Sequence, residues 1–328
     1  MRLVTPTRKV HTLQGWLVAG GLSLVLLVSA SSHGDVVSSP ARRVLIVSID
    51  GLRPDVLLRS DAPVLRRLLA RGSFTFWART TAVSVTLPSH TSMLTGCRPA
   101  RHGIEWNHDL PLLSPVYPKC PTLFELAHRA GLSTAMVAGK SKFRALAKPG
   151  TLNWCFVPAA AVIGDNEVAD SACAMMTRHH PEVVFVHLPA VDTAGHTHGW
   201  GSSEQLAAVA VADHCVGRLL DAFGGEKALE AGWVMVTADH GGAGTDHGPD
   251  DPRSRTIPWI LVGPGVRRGF DLATLADVNV EIEDTFATAC RLLRIPTSGS
   301  IDGHLVTAAL NERAAGLVVD TTAAISWH

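Results

Sequence analysis

The chain has 328 residues, 46% hydrophobic and 18% charged, enough apolar material for a large core in one domain or two. Lys+Arg and Asp+Glu each count 29, so the formal charge is zero. With no basic run and no acidic tail, the sequence excludes a surface built to track a nucleic acid backbone, and no nucleic acid polymer is expected as a partner.

The first thirty residues form a separate unit. Arg2, Arg8 and Lys9 precede the apolar run WLVAGGLSLVLLVSA (Trp16 to Ala30), whose end fits a small-residue cleavage site. Residues 1–30 read as a secretory signal peptide, with an uncleaved anchor as the alternative. The run is shorter than the ~20 residues a spanning helix needs, so no stable membrane span is expected after cleavage. The mature protein is expected in the periplasm or secreted, with a flexible linker over 31–42.

Apolar strands then alternate with amphipathic helices. RVLIVSID (Arg43 to Asp50) reads as a strand ending in an acid and glycine, and APVLRRLLARG (Ala62 to Gly72) as a helix. PTLFELAHRAG is a second helix and LSTAMVAG the strand after it. EVVFVHLPAVD is strand-like and SSEQLAAVAVADHCVGRLLDAF a long helix. GWVMVTAD and IPWILVGPG are further strands, and VEIEDTFATACRLLRI closes the domain as a helix. The fold class is α/β: a mainly parallel central sheet sandwiched by helices. The domain is expected over 43–312, with 104–160, richer in Pro and Trp, as a small cap, and 313–328 as a tail.

Six cysteines follow the leader: Cys97, Cys120, Cys155, Cys173, Cys215 and Cys290. An even number in an exported chain allows disulfides in any of about 15 complete pairings. Cys215 and Cys290, in apolar helical stretches, are expected to be free.

Asp50, Asp192 and Asp239 each follow a strand, where open α/β sheets place their sites. One such acid is commonly a helix cap; three, each near glycine or histidine, are not. In DTAGHTHG, His196 lies four residues beyond Asp192, a spacing that one helical turn or a tight loop can aim at one ion; His240 adjoins Asp239, and His247 stands in TDHG. Carboxylate oxygen and imidazole nitrogen make good zinc ligands. Thr86 opens the run TLPSHTSMLTG. It can be packing, a helix cap or a nucleophile.

SIDGLRPD, TLPSHTSMLTGCRPARHGIEWN, VDTAGHTHG, TADHGG, DHG and IPWILVGPG occur in an order that resembles the alkaline phosphatase superfamily, nearest its type I phosphodiesterase/nucleotide pyrophosphatase branch. The resemblance implies two Zn2+, or other divalent cations. One is held by Asp192, His196 and His247, the other by Asp50, Asp239 and His240 with Thr86 beside it. It implies that Thr86 is the nucleophile and that Asn107 donates to a phosphoryl oxygen. The implied substrate is a small phosphate ester or nucleotide. Thr-x-Pro-x-His in place of Cys/Ser-x-Pro-x-Arg argues against a sulfatase. Lys140 and Lys142, on one face if the segment is extended, resemble the lysine pair of phosphonoacetate hydrolases. That leaves phosphonate or monoester hydrolysis as the alternative, and a non-catalytic zinc-binding protein as the second.

Overall fold

The computed structural model describes residues 42–108, 116–159, 162–248, 251–297, 300–311 and 314. The expected signal peptide, nearly all of the linker and nearly all of the tail lie outside the described residues. Eight strands form one sheet: β1 (Arg43–Ile49), β2 (Ser73–Arg79), β3 (Thr134–Ala138), β4 (Trp154–Phe156), β5 (Val183–Leu188), β6 (Gly232–Thr237), β7 (Thr256–Val262) and β8 (Phe270–Asp271). Their spatial order is β4-β3-β5-β1-β6-β7-β2-β8. The block β4-β3-β5-β1-β6 is parallel throughout. β3 and β5 are buried at every position, and β1 at all but its first. Continuous apolar strands of this kind need cover on both faces.

β7 runs antiparallel to both β6 and β2, so β2 points the same way as β6. Pro258 sits within β7 and has no N–H for the ladder. β2 bulges where it meets that proline. Thr75 pairs with Trp259 and Ala78 with Ile257, leaving Phe76 and Trp77 opposite Pro258 alone. The double reversal brings the carboxyl end of β2 to the edge where β1, β3, β5 and β6 also end. Asp50, Lys140, Asp192, Asp239 and Thr86 all follow these ends.

The segment 104–160 corrects one expectation. It is not a cap over the sheet: β3 and β4 are part of the sheet itself, and the Leu123–Arg129 helix precedes them. Trp106 lies in a connection but Trp154 opens β4, and the apolar run of β3 pairs with β5 along its whole length. A disulfide joins Cys97 to Cys120 and closes the connection that carries Asn107. Cys215 and Cys290 are buried and free, as their settings suggest. Among the described residues, no helix is long and apolar enough to cross a membrane.

Gly51 turns the chain after Asp50. Its φ is +71°, and a Cβ there would stand 2.9 Å from the Asp192 Cα. Its N–H donates to Asp239 Oδ1 at 3.1 Å, and its carbonyl accepts from the Trp200 indole at 2.9 Å. One glycine therefore holds three acid-bearing segments in register. Gly51→Ala is expected to destabilise the fold by more than about 1 kcal/mol and to lower bound metal. Urea melts and elemental analysis together check this.

Candidate metal centre

Asp50, Asp192 and Asp239 are at most 3% exposed. Each has one carboxylate oxygen engaged and one buried without a hydrogen-bond partner. Asp50 Oδ2 accepts from His187 Nε2 at 2.8 Å and pairs with Lys140 Nζ at 2.7 Å. Asp192 Oδ2 accepts from Lys140 Nζ at 2.6 Å, and Asp239 Oδ1 from Gly51. The remaining oxygens, Asp50 Oδ1, Asp192 Oδ1 and Asp239 Oδ2, surround His240 Nε2 at 3.3, 3.9 and 3.2 Å.

Backbone carbonyls fix the three expected histidine ligands. His240 Nδ1–H donates to Gly241 O at 2.8 Å, His196 Nδ1–H to Thr245 O at 2.9 Å, and His247 Nδ1–H to Ser84 O at 2.9 Å. With the proton on Nδ1, each ring turns an Nε2 lone pair inward, the tautomer a metal ligand needs. Burial, then His247, pushes His240 down to about 4, which keeps it neutral. Ser84 holds a φ of +49°, uncommon for a non-glycine residue, while its carbonyl orients His247.

Two groups emerge as compact sets of ligand atoms: Asp50, Asp239 and His240, and Asp192, His240 and His247. The first is the set expected from the sequence. In the second, His240 takes the place expected for His196. His196 belongs to neither compact set; it stands at the rim, 3.4 Å from Asp192 Oδ1, with its side chain 41% exposed. The orphaned oxygens and inward lone pairs fit divalent cations. So do the carboxyl energetics. Burial raises Asp50, but Lys140 and His187 outweigh it and hold it well below the usual range. Burial and the charge on Asp50 push Asp239 well above. A cation at the unpaired oxygens relieves that conflict.

Thr86 is the first residue of the helix Thr86–Thr95 and not its cap, which is Val85. Its hydroxyl is buried, 3.4 Å from His240 Nε2. The Thr86 carbonyl accepts from His90 Nδ1 at 2.7 Å, and His90 Nε2 accepts from Ser48 Oγ at 2.7 Å. Burial, then His187, holds His90 well below its ordinary range, so this brace is neutral. Asn107 Oδ1 accepts from Leu87 N–H at 2.9 Å, which ties it to the same helix start.

Lys140 and Lys142 depart from the expected extended strand, because Ser141–Leu146 is a 3₁₀ helix. Lys140, expected beside the substrate, lies 6% exposed between Asp50 and Asp192, one acid from each expected metal set. Those two acids outweigh burial and raise it above its ordinary value. Lys142 Nζ donates to Asn107 O at 2.8 Å and Oδ1 at 3.1 Å.

Two residues escaped the sequence reading. His187 accepts from Gly139 N–H on Nδ1 at 3.2 Å, so its Nε2–H is committed to Asp50. Its only signal is a lone polar residue in the apolar strand VVFVHL. Asp165 holds the start of the helix Ala190–His198, accepting from Ala190 N–H at 2.8 Å, and its Oδ2 is buried without a partner. As one of three acids in DNEVADSA, it gives no sign of that reach.

These features accompany a family match. A family model of type I phosphodiesterase/nucleotide pyrophosphatase covers residues 44–254. The chain belongs to that family. Members are metal-dependent, in keeping with the two ligand groups. Ectonucleotide pyrophosphatase/phosphodiesterase family member 1 of Rattus norvegicus is 26% identical over 223 residues, 60% of this chain and 24% of that protein. Bis(5'-adenosyl)-triphosphatase ENPP4 of Homo sapiens is 24% identical over 238 residues, 67% of this chain and 52% of that protein. The chain therefore spans about a quarter to a half of these relatives. Murine ectonucleotide pyrophosphatase/phosphodiesterase 5, as an inactive threonine-to-alanine variant with AMP, superposes with a TM-score of 0.67 at 15% identity, over 82% of this chain and 100% of that one. That likeness shows the shared fold.

Burial pushes the Asp165 carboxyl up to about 7. Its folded pKa is thus above its unfolded value near 3.9, so its stabilising contribution is complete below about pH 4 and lost as pH rises to about 7. Asp165→Asn keeps the acceptor for Ala190 and does not titrate. The variant is expected to gain on wild type by up to about 4 kcal/mol between pH 4 and 7. Urea melts across that range decide it; parallel stability curves would mean that Asp165 ionises normally.

Proposed function

We propose that the protein is an exported di-zinc hydrolase that cleaves phosphodiester or nucleotide pyrophosphate bonds through a covalent phosphothreonine. The carrying observation is the buried Thr86 hydroxyl, free of any capping role and set against His240 among three orphaned carboxylate oxygens. Family membership supports the reaction class. AMP in the murine relative, and the inactivity of its threonine-to-alanine variant, support a nucleotide substrate and a threonine nucleophile. The Cys97–Cys120 disulfide supports an oxidising compartment.

Asp50, Asp239 and His240 would hold one ion beside Thr86; Asp192 and His247, with His196 at the rim, would hold the other. Bound divalent cations lower the affinity of a hydroxyl for its proton and stabilise charge on attacking and leaving oxygens. Thr86 Oγ1 forms the bond to phosphorus as the bond to the leaving alkoxide or phosphate breaks. Water then opens the phosphothreonine ester and restores the hydroxyl. The N-terminus of the Thr86–Thr95 helix directs amide dipoles at the phosphoryl group. Asn107 donates to a phosphoryl oxygen as a neutral group, suited to a diester with a single negative charge. The phosphonate reading needs free lysines to grip a carboxylate; both ammonium groups are already engaged by Asp50, Asp192 and Asn107.

Thr86→Ala is expected to lose on the order of 10³-fold or more in kcat on bis(4-nitrophenyl) phosphate while keeping two zinc ions per chain, and Thr86→Ser to keep part of the rate. Kinetics paired with elemental analysis test both halves. Near-wild-type turnover by Thr86→Ala removes the nucleophile, and unaltered activity after exhaustive chelation removes the metals.

A further inference from the structure

Asn107 carries a carboxamide with two unlike ends: Oδ1 accepts and Nδ2 donates. Which end meets a ligand is decided by what holds the other. Two donors converge on Oδ1: the Leu87 amide at 2.9 Å and the Lys142 ammonium at 3.1 Å. Lys142 also donates to the backbone carbonyl of Asn107 at 2.8 Å, so it grips side chain and main chain together. A flipped carboxamide would set Nδ2–H against both donors at once. Leu87 follows Thr86 directly, so the locked amide is anchored beside the proposed nucleophile. The Nδ2 hydrogens meet no acceptor among the described residues.

We propose that Lys142 is a positioning residue that fixes the sign of the group Asn107 shows to the phosphoryl oxygen. With Lys142 in place Asn107 presents a donor. Without it, the Leu87 amide alone resists a flip that would turn Oδ1, a partial negative charge, toward an anionic oxygen. Lys142 so acts through Asn107, not by gripping substrate. The proposal rests on the reading of Asn107 as a phosphoryl donor.

Coupling between the two residues is the measurable consequence, since groups acting through one another do not add. The set is wild type, Lys142→Met, Lys142→Arg, Asn107→Ala and the double variant Lys142→Met/Asn107→Ala, each zinc-loaded with its zinc content and Tm checked. Two readouts are taken: kcat and KM on bis(4-nitrophenyl) phosphate, and affinity for inorganic phosphate by calorimetry. Lys142→Met is expected to lower kcat/KM, mainly through kcat, and phosphate affinity by roughly 10- to 100-fold, with zinc content unchanged. Lys142→Arg should recover most of this loss. In the Asn107→Ala background, Lys142→Met should change either readout less than about 3-fold. Full additivity overturns the proposal and makes Lys142 an independent substrate contact; so does a wild-type Lys142→Met, or loss in Lys142→Met traced to lost zinc. A wild-type Asn107→Ala overturns it by removing the donor reading on which it rests. A coupled phosphate cycle in a protein inert toward the diester upholds the role of Lys142 and removes only the diester assignment. Absence of phosphate binding in wild type overturns the proposal whatever the turnover.

Discussion

Three carboxylates share one buried site, and much of the surrounding structure answers that fact. An uncompensated carboxylate in the interior is costly, and three together repel as well. The fold satisfies half of each: Lys140 and His187 take the outer oxygens of Asp50 and Asp192, and Gly51 takes one from Asp239. The other halves remain unpaired and face one another across His240. Such a cluster is a poor device for stability. It is a good one for binding a multivalent cation, because every donor is already desolvated and aimed.

The aim comes from the backbone. The donor atoms follow parallel strand ends, where the chain leaves the sheet and its turns are free of ladder hydrogen bonds. Carbonyls of Gly241, Thr245 and Ser84 then select one histidine tautomer three times over. The same edge admits Thr86 because β2, reversed twice relative to β6, ends there too. The bulge opposite Pro258 lets that strand pass a residue that offers it no donor. Lys140 then links one acid from each expected metal set, which makes the two halves of the centre a single electrostatic unit.

Legibility was uneven along the chain, for physical reasons. β1, β5, β6 and β7 announce themselves as apolar runs, since burial on both faces leaves no room for polar alternation. The acids following β1 and β6 and their histidine neighbours could be located from those runs. Asp192 is the instructive case: the sequence reads as strand up to it, yet the helix Ala190–His198 has already begun, which places Asp192 in its first turn and His196 one turn on. Within 104–160 the apolar run of β3 was legible, whereas the three-residue β4, opened by Trp154, carries no such run and is placed only by its pairing with β3. β2 went unread because its bulge at Phe76 and Trp77 interrupts the period of two.

The sequence by itself determined the chemical inventory: the acids, the histidines, Thr86, Asn107 and the alternation of apolar segments that commits the chain to an α/β sheet. These are local properties, set by residue type and period. What only the tertiary structure decided is how that inventory is shared out. It put Lys140 between Asp50 and Asp192 rather than beside a substrate, drew His240 into both ligand groups and left His196 at the rim. It turned Lys142 onto Asn107, paired Cys97 with Cys120, and recruited His187 and Asp165 from segments that carry no motif. Each of these depends on contacts between residues far apart in the chain, where distance and hydrogen-bond direction are fixed by strand order and register rather than by composition.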